Sequence, residues 1–234
     1  MKSTQEVALL FDAKAASWNS KYRVNGPLEY RAAAFGALLD GRAAPGAAVL
    51  DFGGGTGAIA SFLEQRGFRP TVCDLSERMI ASGKQLYAGQ AIEWVLLPKA
   101  WKRLPFADQS FDAVIASSVF EYLDNVESVL AECRRVLQPS GHLIFSVPNP
   151  AHPSRQLERG LRPAAIVARK IPGVRALPKI GNYLSYLEVS RSRYSESEWR
   201  KQAARAGFEA VAIDRRLPEL ASHKGMMYLV FTNR

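Results

Sequence analysis

The chain has 234 residues, 47% of them hydrophobic, with 31 Lys and Arg against 22 Asp and Glu for a formal charge of +9. That is the range of one globular domain, able to bury roughly 70 to 75% of its unfolded surface without staples. Its two cysteines, Cys73 and Cys133, stand in no CxxC or metal-ligand spacing, which excludes a disulfide framework; they read as buried thiols of a reducing compartment, and no metal site is expected. The run Val7 to Phe11 is too short for a signal-peptide core and nothing approaches eighteen apolar residues, so the expected location is cytoplasmic, with peripheral contact of one face with a membrane kept open.

In chain order, Pro27 suits a first helical turn and Leu28, Ala32, Phe35 and Leu39 follow at helical spacing until Gly41. Strand one is expected over Ala47 to Leu50, then four glycines within Gly53 to Gly57, a helix to about Arg66 closed by Gly67, and a short strand from Thr71 to Cys73. Ser76 can cap a helix to about Tyr87; Ile92 to Leu97 and Phe111 to Ala116 are strands three and four. A helix over Val126 to Leu137 ends at Pro-Ser-Gly, and strand five covers Leu143 to Val147. The segment that follows holds Pro153, Pro163, Pro172 and Pro178, which argues against one continuous helix. Ser195 with Glu198 fits a capping box, Gly207 ends that helix, and strands near Glu209 to Asp214 and Met226 to Thr232 close the chain. No internal repeat interrupts this alternation. It predicts an α/β, Rossmann-like, mostly parallel sheet with one antiparallel strand and helices on both faces.

The loop VLDFGGGTG turns a strand into a helix, a geometry that lets a ligand approach the backbone and the positive helix N-terminus. No lysine follows Gly57, which sets the P-loop aside. Gly53, Gly55 and Ala58 do satisfy the dinucleotide pattern, with Asp74 near the expected distance downstream. Asp51 argues against it, because a carboxylate at the strand end repels a pyrophosphate and suits a ligand that presents a cation.

At this point the sequence resembles class I S-adenosylmethionine-dependent methyltransferases of the small-molecule branch, methyltransferase type 11-like. The resemblance rests on DFGGGTG (Asp51 to Gly57), CDLSERM (Cys73 to Met79), LPFADQSFDAV (Leu104 to Val114) and RVLQPSG (Arg135 to Gly141), in that order and spacing. It implies a seven-stranded sheet and S-adenosyl-L-methionine as cofactor, with S-adenosyl-L-homocysteine as product. By the same resemblance Asp51, Gly53, Gly54 and Gly55 lie against the methionine part, Asp74 accepts from the ribose hydroxyls, and Leu75 and Met79 flank the adenine. An Asp is common four residues before the LPF leucine; here Ala100 stands there, beside Trp101, so backbone atoms and the indole take that role. Ser117, at the end of strand four, completes the expected cofactor set. Tyr122 replaces the histidine frequent in this branch.

The resemblance also divides the domain into cap helices (residues 1–44), a cofactor core (45–149), a basic acceptor-side lid (150–194) and a last helix with the terminal strand pair (195–234). In the cap, FDAKAASWNSKY places Trp18 and Tyr22 at i, i+4; Tyr22 is the better cofactor contact, and Arg31 reads as solvated helix rather than a partner of the cofactor carboxylate. In the lid, Arg155, Arg159, Arg162, Arg169, Lys170, Arg175, Lys179, Arg191 and Arg193 face only Glu158 and Glu188. Their mixture with Tyr183 and Tyr186 suits an anionic acceptor with an apolar or ring-shaped body.

Methyl transfer from a sulfonium mainly needs alignment of the acceptor and exclusion of water. If a proton must leave, Glu121, Tyr122 and His152 are the candidate bases, while His142 and His223 read as surface residues. The expected function is methylation of an O or N atom of a small, anionic acceptor, such as a sugar, natural-product, quinone-like or carrier-bound molecule, by a monomer or homodimer. Methylation at carbon, RNA or lipid methylation, a non-catalytic cofactor-binding protein and a nicotinamide oxidoreductase are the alternatives. Against nucleic acid, strand four ends in ASSVFEY without a (D/N/S)PP(Y/F) loop, and no Pro-Cys nucleophile is present.

Overall fold

The computed structural model describes residues 2–23, 26, 28–168, 180, 183–184, 186–187, 190, 193–221 and 225–234. Its centre is a seven-stranded sheet: β1 (Ala48–Phe52), β2 (Arg69–Asp74), β3 (Glu93–Leu96), β4 (Phe111–Ser117), β5 (Leu137–Pro148), β6 (Phe208–Val211) and β7 (Met226–Asn233), in the order β3-β2-β1-β4-β5-β7-β6. β7 runs antiparallel to both β5 and β6, and the other pairings are parallel. The expected sheet, with its single antiparallel strand, is therefore present. From β1 the chain moves outward to β2 and β3, then returns to place β4 on the other flank of β1. That reversal opens a crevice beyond the carboxyl ends of β1 and β4, where ligands of open α/β sheets bind.

Helices cover both faces. α1 (Lys2–Asp12), α2 (Ala15–Trp18) and a 3₁₀ turn (Asn19–Tyr22) form the cap; α3 (Arg31–Leu39), α4 (Ala58–Glu64), α5 (Glu77–Leu86), α6 (Val126–Val136), α7 (Pro153–Ala168), α8 (Glu196–Arg205) and α9 (Pro218–Ala221) follow. On one face Trp199 of α8 is 1% exposed and meets Phe120 and Phe145 edge-on, while Phe145 stacks on Phe120 at 4.3 Å and on Phe231 at 5.7 Å. Truncating an aromatic so buried costs about 3–5 kcal/mol. On the other face Phe35, Leu38 and Leu39 of α3 pack with Ile59 and Leu63 of α4 over Val49 and Ile115. Both cysteines are buried free thiols, as expected.

The caps follow the sequence. Ser76 accepts from the Met79 amide, and Ser195 and Glu198 form the reciprocal capping box. Gly41, Gly67 and Gly207 sit at positive φ where the helices stop.

Three expectations are corrected. β1 runs from Ala48 to Phe52 rather than Ala47 to Leu50, since Asp51 and Phe52 stay in register with Val72 and Cys73 of β2; Asp51 is thus inside the buried sheet. α3 begins at Arg31, because Leu28–Tyr30 is a turn whose Leu28 amide donates to the Lys21 carbonyl. β5 starts at Leu137, with the Pro-Ser-Gly turn absorbed as a shift in pairing with β4 and a left-handed Ser140 at φ 63°. α7 continues through Pro163. The proline removes the donor for the Arg159 carbonyl, but Arg159 and Pro163 are exposed, so water can replace it. Pro27, Pro172, Pro178, His223 and the basic side chains of Arg169, Lys170, Arg175, Lys179 and Arg191 lie outside the described residues, as does Glu188.

Candidate active site

The crevice at the ends of β1 and β4 is a cavity of about 950 Å³, large enough for a nucleoside-sized ligand and a second molecule. Its floor is the glycine loop. The amides of Gly53 and Gly54 donate to the Cys73 carbonyl at 2.8 and 3.3 Å, which ties the loop to β2. Gly53 and Gly55 take φ of 69° and 59°, a left-handed backbone that disfavours other residues. A Cβ at Gly54 would stand 2.6 Å from the Asp51 carboxylate. The glycines therefore keep open the space between the backbone and Asp51.

Asp51 is fully buried, and among the described residues neither of its carboxylate oxygens makes a well-formed hydrogen bond. Burial, with the charge of Asp74 adding to it, pushes Asp51 up to about 7; the Ala60 amide in the first turn of α4 offsets only part. A buried carboxylate without a partner is costly to ionise, and a cationic ligand removes that cost. Asp74, at the end of β2, accepts from the Gly55 amide at 2.9 Å and the Ser76 amide at 2.8 Å. Burial outweighs these bonds and the one from Leu75, holding Asp74 up at about 6. Each of its oxygens retains a lone pair for hydroxyl donors.

The structure brings the other expected cofactor residues to this cavity. Leu75, Met79, Ala100, Trp101, Ser117 and Tyr22 all line it. Met79 is fully buried, and Trp101 stands edge-on to Phe52 at 5.7 Å. Tyr22 is pushed up to about 12 by burial and keeps its phenol proton. Arg31 corrects its reading as solvated helix: it reaches into the cavity wall and donates to Ser117 Oγ at 3.0 Å and Ser118 Oγ at 2.8 Å.

Of the three candidate bases, two face the cavity. Glu121 is 2% exposed and accepts from Tyr186 Oη at 3.2 Å and Ser190 Oγ at 2.9 Å; burial raises its pKa. Those bonds make it an anchor for residues of the acceptor-side segment. Tyr122 stands edge-on to Phe11 and Tyr186, and burial puts its phenol well above the ordinary value, so it is poorly suited to accept a proton. His152 is not part of the lining; its Nδ1 lies 2.8 Å from Ser154 Oγ. His142 is on β5, paired opposite Thr232.

The lid arginines differ from their expected role. Arg155 and Arg193 both bind the Glu158 carboxylate, at 2.7 and 3.1 Å, and Arg193 also donates to Ser190 Oγ. With Glu121 beside them, this group carries two positive and two negative charges. Three cavity residues, Phe11, Lys14 and Lys21, carry no role in the motif reading. The signal available in the sequence was the seven-residue spacing of Lys14 and Lys21, two helical turns on one face. The cap is broken into α1, α2 and the 3₁₀ turn, yet both lysines still reach the cavity.

Comparison with known proteins agrees with this geometry. Residues 50–145 match the family model described as a methyltransferase domain. A ubiquinone/menaquinone biosynthesis C-methyltransferase UbiE of Desulfotalea psychrophila is 40% identical over 103 residues, 43% of this chain and 41% of the relative. A demethylmenaquinone methyltransferase of Thermobifida fusca is 34% identical over 147 residues, 62% and 61% of the two chains. A malonyl-[acyl-carrier protein] O-methyltransferase of Erwinia pyrifoliae is 33% identical over 144 residues, 61% and 51%. The chain thus spans between about two fifths and three fifths of the length of these relatives. Among solved structures, a SAM-dependent methyltransferase from Thermotoga maritima superposes with a TM-score of 0.65 at 17% identity, covering 97% of this chain and 99% of that one. One from Mesorhizobium loti gives 0.59 at 18%, covering 84% and 96%. Residues 50–145 thus resemble a methyltransferase domain, and the fold of the chain is that of the SAM-dependent methyltransferases it superposes on.

Proposed function

We propose that the chain transfers a methyl group from S-adenosylmethionine to a ring carbon of a small acceptor that carries an ionisable hydroxyl, of the hydroxyaromatic or quinol type. The observation that carries the cofactor half is Asp51, a fully buried carboxylate with no cationic partner among the described residues, lining the cavity beside Asp74. An α-ammonium supplies the missing positive charge, and ribose hydroxyls fit the free lone pairs of Asp74. A pyrophosphate in the same place would meet two carboxylates.

The acceptor half rests on two supports. The relatives named above include a C-methyltransferase of quinone biosynthesis and a demethylmenaquinone methyltransferase, which moves the expected O or N acceptor toward carbon. The wall facing the loop is aromatic, with Phe11, Tyr122, Tyr183 and Tyr186 lining it. When bound, the cofactor supplies an electrophilic methyl group on a leaving sulfide. The chain's own part is to hold the acceptor ring in line, keep water out with that aromatic wall, and favour the ionised hydroxyl that makes the adjacent carbon nucleophilic.

The test is incubation of the purified protein with methyl-labelled S-adenosylmethionine and a panel of hydroxynaphthoquinols, benzenediols and acyl-carrier thioesters, with products analysed by mass spectrometry. Label on a ring carbon, stable to hydrolysis, supports the reading; label on an ester or ether oxygen overturns the choice of carbon. Binding of the cofactor with no transfer to any acceptor would favour a non-catalytic role.

A further inference from the structure

We propose that Lys14 and Lys21 form an anion subsite on the cap side of the cavity, which holds an ionised oxygen of the acceptor, a phenolate, enolate or carboxylate. The inference deepens the reading above and rests on its cofactor half.

The charges around the cavity are unevenly matched. On the acceptor-side segment the arginines at 155 and 193 are neutralised by Glu158, with the Glu121 carboxylate at hand. On the cap, neither Lys14 nor Lys21 has a carboxylate within ion-pair distance among the described residues, although both are about half buried and line the cavity. Arg31 stands close enough to disfavour the charge of Lys21, and its Nε is buried without a hydrogen-bond partner among the described residues.

Aromatic rings hold the lysines in place. Lys21 Nζ lies over the Trp18 ring at 3.9 Å, and Lys14 Nζ over Phe11 at 5.6 Å. Phe11 in turn stands edge-on to both Trp18 and Tyr122, which ties the ring beneath Lys14 to the turn that follows β4. Burial lowers Lys14, with the charge of Glu121 offsetting only part of it, and burial together with Lys14 and Arg31 brings Lys21 down to about 8. An anion between the two ammonium groups relieves both costs, since each gains an opposite charge in a site shielded from water.

One alternative source of the same chemistry is the carboxylate of the cofactor itself, and the experiment separates the two. Calorimetry on protein saturated with S-adenosylhomocysteine compares naphthoate with its neutral isostere naphthamide. In the unaltered protein naphthoate should bind about tenfold or more tightly than naphthamide. The double variant Lys14→Met/Lys21→Met should bind the two equally, while Lys14→Arg/Lys21→Arg keeps the preference and shows that charge, not shape, was lost. Affinity for S-adenosylhomocysteine should stay within about twofold in both variants.

Loss of S-adenosylhomocysteine affinity with the naphthoate preference intact would assign the lysines to the cofactor and overturn the proposal. Equal or undetectable binding of both probes to the saturated unaltered protein would also overturn it. Failure of S-adenosylhomocysteine to bind the unaltered protein would instead overturn the cofactor reading on which it rests.

Discussion

Asp51 and Asp74 face one cavity from neighbouring parallel strands, and the charge of Asp74 helps hold Asp51 protonated near neutrality. Two carboxylates with raised pKa values at a strand-end crevice are a poor site for phosphates and a good one for a cation with hydroxyl donors.

The first prediction concerns pH. With Asp51 at about 7 and Asp74 at about 6 before binding, a ligand that prefers both ionised must displace protons below those values. Affinity for S-adenosylhomocysteine should therefore fall as pH drops from 7.5 to 5.5, approaching about tenfold per proton released per pH unit. Calorimetry at pH 6.5 in two buffers of different ionisation enthalpy should register proton release; a pH-independent affinity would contradict it.

Asp51→Asn separates binding from stability. The folded pKa of Asp51 is raised above the unfolded value of about 3.9, so its contribution to stability is fully present below that pH and is lost as pH rises through about 7. The variant should melt higher than the parent at pH 8, by several degrees, with the difference vanishing near pH 4. Its affinity for S-adenosylhomocysteine should drop at least tenfold. Thermal melts across pH, without ligand, check the sign.

Gly54→Ala is a steric probe of the same place. The glycine is not in the left-handed region, so the main effect of the added methyl is its position 2.6 Å from the Asp51 carboxylate. Cofactor affinity should fall by more than about tenfold, while the circular dichroism spectrum stays that of the parent.

Glu121 is predicted to anchor rather than to take a proton. It accepts from Tyr186 and Ser190, so Glu121→Gln keeps one acceptor oxygen and should lower the melting temperature while leaving kcat within a few-fold. A loss of kcat above about a hundredfold with unchanged stability would identify a general base.

Much of this was legible in the sequence for physical reasons. The glycine loop, the helix caps at Ser76 and Ser195 and the alternation of strands and helices are local or pattern signals, and Asp51 and Asp74 both line the cavity at the strand ends. What escaped was set by packing at a distance. Arg31 looked like solvated helix because nothing local shows that Ser117 and Ser118 come to meet it. The pairing of Arg155 and Arg193 with one glutamate joins residues 38 apart, so a count of charges along the segment could not show that these two arginines are already paired.

The most direct measurement is calorimetric titration of the protein with S-adenosylhomocysteine and with NADH, beside an Asp74→Ala control. Micromolar binding of S-adenosylhomocysteine is expected, lost in the variant along with the acceptor of the Gly55 and Ser76 amides, with no binding of NADH. Binding of NADH in place of S-adenosylhomocysteine would contradict it.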